Sequence, residues 1–241
     1  MEKLIYPIWA SDGITGDGLR DVLLEIFCPA LVSTPNVRAL RFSVVDSAVE
    51  AAAGKRMENC QPLPDGIISV WVNNAGERGA IDALLTPHVE RFTTYLVIEA
   101  EPIVNTEHPP GLGQRGFGFC QVVFLQRPDR LSESQWLSIW QGSHTQVAID
   151  TQSTFGYRQN VIARCLQADA PHFHAMIEEN FPPEAMQSDH AFYGVGEDDD
   201  EGFKANLGAM LESCSRFIDF DKIDVIPMSE YVLKELSALG A

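Results

Sequence analysis

The order of strand-like and helix-like segments in this chain repeats on either side of one breaker-rich stretch. That doubling narrows the available folds more than any single motif. Residues 105–116 (NTEHPPGLGQRG) concentrate Pro and Gly, which interrupt both the helical and the strand period. Before them, residues 4–9 form a short apolar run that ends in Ser-Asp-Gly and reads as a buried strand. Leu19, Val22, Leu23, Ile26, Phe27 and Ala30 then recur at helical steps, with Thr15 or Asp17 to cap the helix and Pro29 to kink or end it. Leu40, Phe42 and Val44 alternate with polar residues, and 67–72 and 92–100 read as strands around a short helix at 81–85. After the break, 117–125 is a strand and 132–150 the clearest helix, opened by a capping box of Ser132 and Gln135. Strands are predicted at 157–166 and 190–195, a helix through Phe203, Leu207, Met210, Leu211, Cys214 and Phe217, and a closing strand at 223–226.

Each half therefore reads strand–helix–strand–strand–helix–strand, the ferredoxin-like order. The predicted units are a degenerate first repeat (1–104), a linker (105–116) and a second repeat (117–241). Thirteen residues separate Cys28 from Arg41, as thirteen separate His144 from Tyr157, and Arg91-Phe92 and Arg216-Phe217 each precede the last strand of their half.

A chain of 241 residues is long enough to bury a real apolar core. Its 34 acidic residues against 17 Lys and Arg give a formal charge of −17, which disfavours nucleic acid and membrane surfaces as partners. Five scattered cysteines without a C-x-x-C predict reduced thiols, neither a disulfide frame nor a zinc site. The first residues lack the charge and apolar length of a signal peptide, and no run reaches the length of a membrane span, so the expected address is cytoplasmic.

The residue type with the widest chemical range is a histidine. On the 132–150 helix, Trp136, Trp140, His144 and Val147 fall at steps of four, four and three, so they share the face that should lie on the sheet. An imidazole there can take and give a proton near neutrality, and two indoles offer flat walls for a planar ligand. The same pattern also describes an ordinary core with one satisfied histidine.

The run Arg130-Leu131-Ser132 … Trp136 … Trp140 … His144, followed by Tyr157-Arg158-Gln159-Asn160, resembles the EthD family of dimeric α/β-barrel proteins. Asp189, Arg216-Phe217-Ile218-Asp219 and Ser229-Glu230-Tyr231-Val232 resemble its C-terminal part, so the likeness spans 117–232; the first half matches in outline only. The resemblance implies an α+β fold: two ferredoxin-like repeats forming a dimeric α/β-barrel of antiparallel sheets, which the two halves can close within one chain and which leaves open a homodimer. It implies His144 as acid/base, with Tyr157 and Asn160 as polar groups of the pocket and His190 as an assistant. No cofactor is expected; haem at His144 would rest on superfamily analogy, without an attachment motif. Two departures stand out: Thr145-Gln146 follows His144 where Ala-Pro is expected, and Cys28 occupies the place of a histidine in the first half.

Several motifs have simpler readings. Gly111-x-Gly113-x-x-Gly116 precedes a strand, whereas phosphate binding needs a helix N-terminus. Asn73-Asn74-Ala75-Gly76 resembles a dehydrogenase motif but lacks the companion glycine turn and Tyr-x-x-x-Lys, so a turn explains it. The acidic run 197–201 suits a helix entry. His172 and His174, leading toward Glu178-Glu179, are predicted on a helix, where they diverge. Two functions follow: a cofactor-free enzyme acting on an aromatic, polyketide-like or lactone substrate between Trp136, Trp140 and Tyr157, or a non-catalytic ligand-binding or scaffold protein with the same barrel. A cavity of a few hundred Å³ at His144 favours the first.

Overall fold

The computed structural model describes residues 1–60, 62–168 and 170–236. Eight strands dominate it: β1 (Glu2–Trp9), β2 (Val37–Val44), β3 (Gly66–Val72), β4 (Tyr95–Ile103), β5 (Phe119–Leu125), β6 (Gly156–Cys165), β7 (Ala175–Phe181) and β8 (Ile223–Lys234). In the first half they pair in the order β4-β1-β3-β2, and in the second β8-β5-β7-β6, all antiparallel. The edges of one half join those of the other, β2 to β8 and β4 to β6, which closes an eight-stranded barrel. Closure leaves no barrel strand with an unpaired edge.

Helices cover the outside of each half. The first helix, α1, runs over 16–32, and its counterpart α2 over 133–151; each is interrupted by a π turn, Leu23–Phe27 and Trp140–His144. The second cover of each half is α3 in the C-terminal half (Asp200–Ser215) and the shorter Gly79–Leu85 in the N-terminal half. Strand alternation then sorts the side chains. Leu4, Tyr6 and Ile8 face α1, Val123, Tyr157 and Ile177 face α2 and α3, and Ile5, Val122, Phe124, Met176 and Ile226 fill the lumen. Both sheet faces are covered, so most strands are buried along nearly their whole length.

The lumen also holds charge. Lys3 pairs with Glu99 and with Glu178, and Arg158 pairs with Glu178 (3.5 Å) and Glu230. One glycine is obligatory at the entry to β5. Gly118 has φ +66°, and a Cβ there would sit 1.8 Å from the carbonyl oxygen of Phe181. Gly118→Ala is expected to lower stability by at least about 2 kcal/mol in chemical denaturation, because left-handed strain and a backbone clash add.

The 105–116 stretch is irregular and lies along β8, with Gly113 and Gly116 donating to the carbonyls of Val232 (2.8 Å) and Glu230 (2.7 Å). Two predicted elements change identity. Ala175–Phe181 is strand β7, where the acidic pair suggested helix, because Glu178 and Glu179 are both buried on opposite faces of one strand. The strand predicted at 190–195 is the one-turn helix Asp189–Phe192, capped by Ser188. Asn74 caps its own turn, and Asp199 caps α3 by accepting from Gly202 N (2.9 Å), so both motifs serve local structure. The rings of His172 and His174 lie 4.6 Å apart, yet no group of three metal-ligating residues occurs among the described residues. All five cysteines are free, and among the described residues no helix is long and apolar enough to cross a membrane.

Candidate functional site

Between the second half-sheet and its helices lies a largely apolar cavity of about 400 Å³. Its floor is built by cross-strand register. Gln121 on β5 stands opposite Glu179 on β7, which stands opposite Tyr157 on β6, so three polar side chains form one row on the helix-facing side. Met210, Cys214 and Phe217 close it from α3 and the residues just after it. The rim comes from the other half of the chain: Gly54–Met57 reaches across, and Met57 exchanges two backbone hydrogen bonds with Val225 (3.0 Å each). Lys55 binds Asp189 (2.8 Å) over the ring of Phe192.

His144 enters this cavity because of the π turn. Thr145 N bonds to Trp140 O, one residue farther back than in an α-helix, and the wider turn rotates His144 away from the Trp136–Trp140 stripe. The imidazole packs on Phe217 (4.6 Å), and its Nδ1 lies 2.9 Å from Ser213 Oγ, which also accepts from Arg216 Nη2 (2.8 Å). Burial, and then the Arg216 charge, lower the imidazole pKa to about 4. Glu179 shifts the other way. Burial raises its pKa to about 7, partly opposed by a hydrogen bond from Gln121. Burial and Glu179 together push the Tyr157 phenol well above its ordinary value, and the same pair raises the Cys214 thiol to about 12. At neutral pH the cavity therefore holds a neutral imidazole, an un-ionised phenol and thiol, and one carboxyl near its midpoint.

The sequence-predicted residues part company here. His144 and Tyr157 line the cavity. Trp136 and Trp140 do not: both are fully buried behind it, their indole N–H groups donating to Phe217 O and to Tyr157 Oη (3.1 Å each). They brace the floor and offer no wall to a ligand. Asn160 faces the lumen, where it accepts from Lys3 Nζ (2.8 Å) and donates to Glu178 Oε2 (3.1 Å). The reason is strand parity: Tyr157 and Asn160 are three residues apart and must point to opposite faces. His190 lies outside, 3.1 Å from Asp200 and stacked on Phe203. Glu179 and Gln121 were missed. The available signal was two adjacent acids inside the apolar run Ala-Met-Ile-Glu-Glu-Asn-Phe, which on a buried strand places one carboxyl on each covered face.

No family model and no curated protein matches the chain. Among solved structures, an anthrone oxidase-like protein aligns over 100% of this chain and 96% of its own length, at 9% identity and a TM-score of 0.52. A provisionally named monooxygenase of Fusobacterium nucleatum subsp. nucleatum aligns over 97% and 92%, at 8% identity and a TM-score of 0.50. Identities this low speak to architecture alone, and they do not reach the EthD family. What the chain shares with these proteins over its whole length is the dimeric α/β-barrel fold, here closed by two halves of a single polypeptide.

Proposed function

We propose that the chain is a small-molecule enzyme in which Glu179 takes a proton from an activated C–H of a planar, apolar substrate, while His144 and Tyr157 hold the substrate oxygen. The observation that carries this reading is a buried carboxyl, poised near neutrality, in the floor of an apolar cavity of about 400 Å³. General bases work best when their pKa lies near the working pH. The acid/base role expected of His144 passes to Glu179, because an imidazole titrating near pH 4 is a weak base. Its use is as a donor. Arg216 donates to Ser213, which leaves the serine O–H to donate to Nδ1 and the ring proton on Nε2, available to an oxygen in the cavity.

In the step proposed, the C–H proton moves to a Glu179 oxygen and the bonding pair delocalises into the carbonyl conjugated with that carbon, whose growing negative charge is met by His144 Nε2–H. An anthrone is a suitable first probe, being planar, apolar and acidic at the methylene that faces its carbonyl across the central ring; the name of one structural neighbour points the same way. Deuterium uptake at the anthrone methylene, followed by NMR in D2O, reads the step without requiring any later reaction. The protein-dependent rate should rise as pH passes about 7. His144→Ala should slow exchange by about tenfold or more, the scale of a lost hydrogen bond to developing charge, and leave the midpoint of the pH profile near 7. A profile that instead rises near pH 4, or one that disappears with His144, would return the base role to the imidazole.

A further inference from the structure

A second cavity, of about 260 Å³, lies at one end of the barrel lumen, away from the Glu179 site. Its walls are aromatic: Trp9, Tyr95, Phe124 and Phe173, joined by Pro7, Pro62, Pro64 and Pro171. Two buried polar side chains on its lining each keep one oxygen without a close hydrogen bond among the described residues. Asp224 is fully buried; its Oδ1 accepts from the backbone N–H groups of Asn59 (2.8 Å) and Cys60 (2.9 Å), while its Oδ2 has no close hydrogen-bond partner among the described residues. Thr93, buried on the same lining beside the Tyr95 hydroxyl, has no close partner for its Oγ1.

We infer that this cavity binds a small organic ammonium ion, with its N–H groups donating to Asp224 Oδ2 and Thr93 Oγ1. A buried carboxylate with one open oxygen is stabilised most by a cation that also donates hydrogen bonds. The walls favour the same charge, because ring faces attract cations. Trp9 already carries one: the Arg91 guanidinium lies 3.9 Å from its ring centroid. Arg91 is the only cation among the described lining residues, and it is exposed, so solvent screens its repulsion of a second cation. Cys60 adds no competing anion: burial, then the Asp224 charge and a thiol hydrogen bond to Asp224, raise its pKa and keep it a thiol, a weak donor that an ammonium ion would displace. The prolines limit the body of the ligand to an apolar group of about the size of one ring, and the charge of −17 draws amines toward the surface.

Benzylamine, benzyl alcohol and benzoate share a ring and differ in the head group, so together they test the claim. Calorimetry and ligand-observed NMR on the intact chain should show saturable binding of benzylamine, with benzyl alcohol at least tenfold weaker and benzoate not bound. Asp224→Asn keeps an oxygen for the two backbone donors while removing the charge, and should weaken benzylamine at least tenfold. Thr93→Val, which touches neither donor, should weaken it severalfold and guards against a misfolded Asp224 variant. Glu179→Gln must leave benzylamine binding unchanged, which separates this site from the proposed active site. Equal binding of the amine and the alcohol, unaltered affinity in folded Asp224→Asn, or loss of binding in Glu179→Gln would each overturn the inference.

Discussion

Glu179→Gln is expected to do two opposite things: abolish base-dependent exchange and make the folded protein more stable. The activity loss should be on the order of 10²–10⁴-fold, the usual contribution of a positioned general base. The gain in stability follows from linkage. In the unfolded chain Glu179 ionises near its ordinary 4.5, and in the folded protein near 7. Between those values the folded state holds a proton that the unfolded state has lost, so stability falls as pH rises, by about 3 kcal/mol once both are passed. The glutamine variant escapes this cost. Chemical denaturation should show it more stable than the parent by up to about 3 kcal/mol at pH 8, and nearly equal at pH 4.5. His144 produces the reverse slope. Its folded pKa of about 4 lies below its ordinary 6.5, so stability is full above 6.5 and is lost as pH falls toward 4. In the parent the two slopes oppose each other between about pH 4.5 and 6.5; in Glu179→Gln only the rising histidine slope remains. A variant that is less stable than the parent at pH 8, or whose gain does not depend on pH, would show that Glu179 is an ordinary ionised side chain.

The second large effect is expected in the lumen. Lys3 is buried against Glu99 and Glu178, and it is the first of the cations that hold Glu178 ionised. Burial alone would raise the Glu178 pKa; Lys3, then Arg158 and Arg41, more than reverse it and keep it below the carboxylate range. Lys3→Met removes that partner and leaves a buried charge uncompensated, which should cost about 3–5 kcal/mol near pH 7. The sign with pH is fixed by the direction of the shift. A lowered carboxyl pKa gives stability that is present above the ordinary range and disappears as pH falls below it, so the deficit of the variant should shrink on acidification. Adding Glu178→Gln should restore part of the loss, since the two side chains interact directly. A deficit under about 1 kcal/mol at pH 7 would mean that the network tolerates the missing cation and behaves like a surface pair.

The sequence reached the architecture because architecture depends on period and order. Leu4, Leu40, Ile67 and Phe119 mark strands, the Ser132–Gln135 box marks the start of α2, and the repeated element order implies four strands in each half. A closed barrel then follows, since two half-sheets with free edges and apolar inner faces satisfy both by joining. The candidate site was only half legible. His144 and Tyr157 were found, because one lies on a recognisable helix face and the other on a recognisable strand. Trp136 and Trp140 pack on the sheet as their four-residue step implies, while the π turn after them, which periodicity cannot show, carries His144 off their face; strand parity separates Asn160 from Tyr157. Glu179 was hidden because Pro171 before the segment and the acidic pair within it suggest a helix, in which neighbouring acids do not divide between two covered faces.

Local patterning thus determined most of the strands and helices and the order in which they come, but not the strand at Ala175–Phe181 or the helix at Asp189–Phe192. Tertiary structure decided what those segments do to one another. A carboxyl is moved toward neutrality by the loss of water around it, an imidazole by burial and an arginine, and both environments arise from elements far apart in the chain. The rim at Met57 and the charge pair of Lys3 with Glu178 join residues more than a hundred positions apart. Burial, and the electrostatics that depend on it, are properties of the closed barrel, whereas periodicity belongs to the chain before it folds.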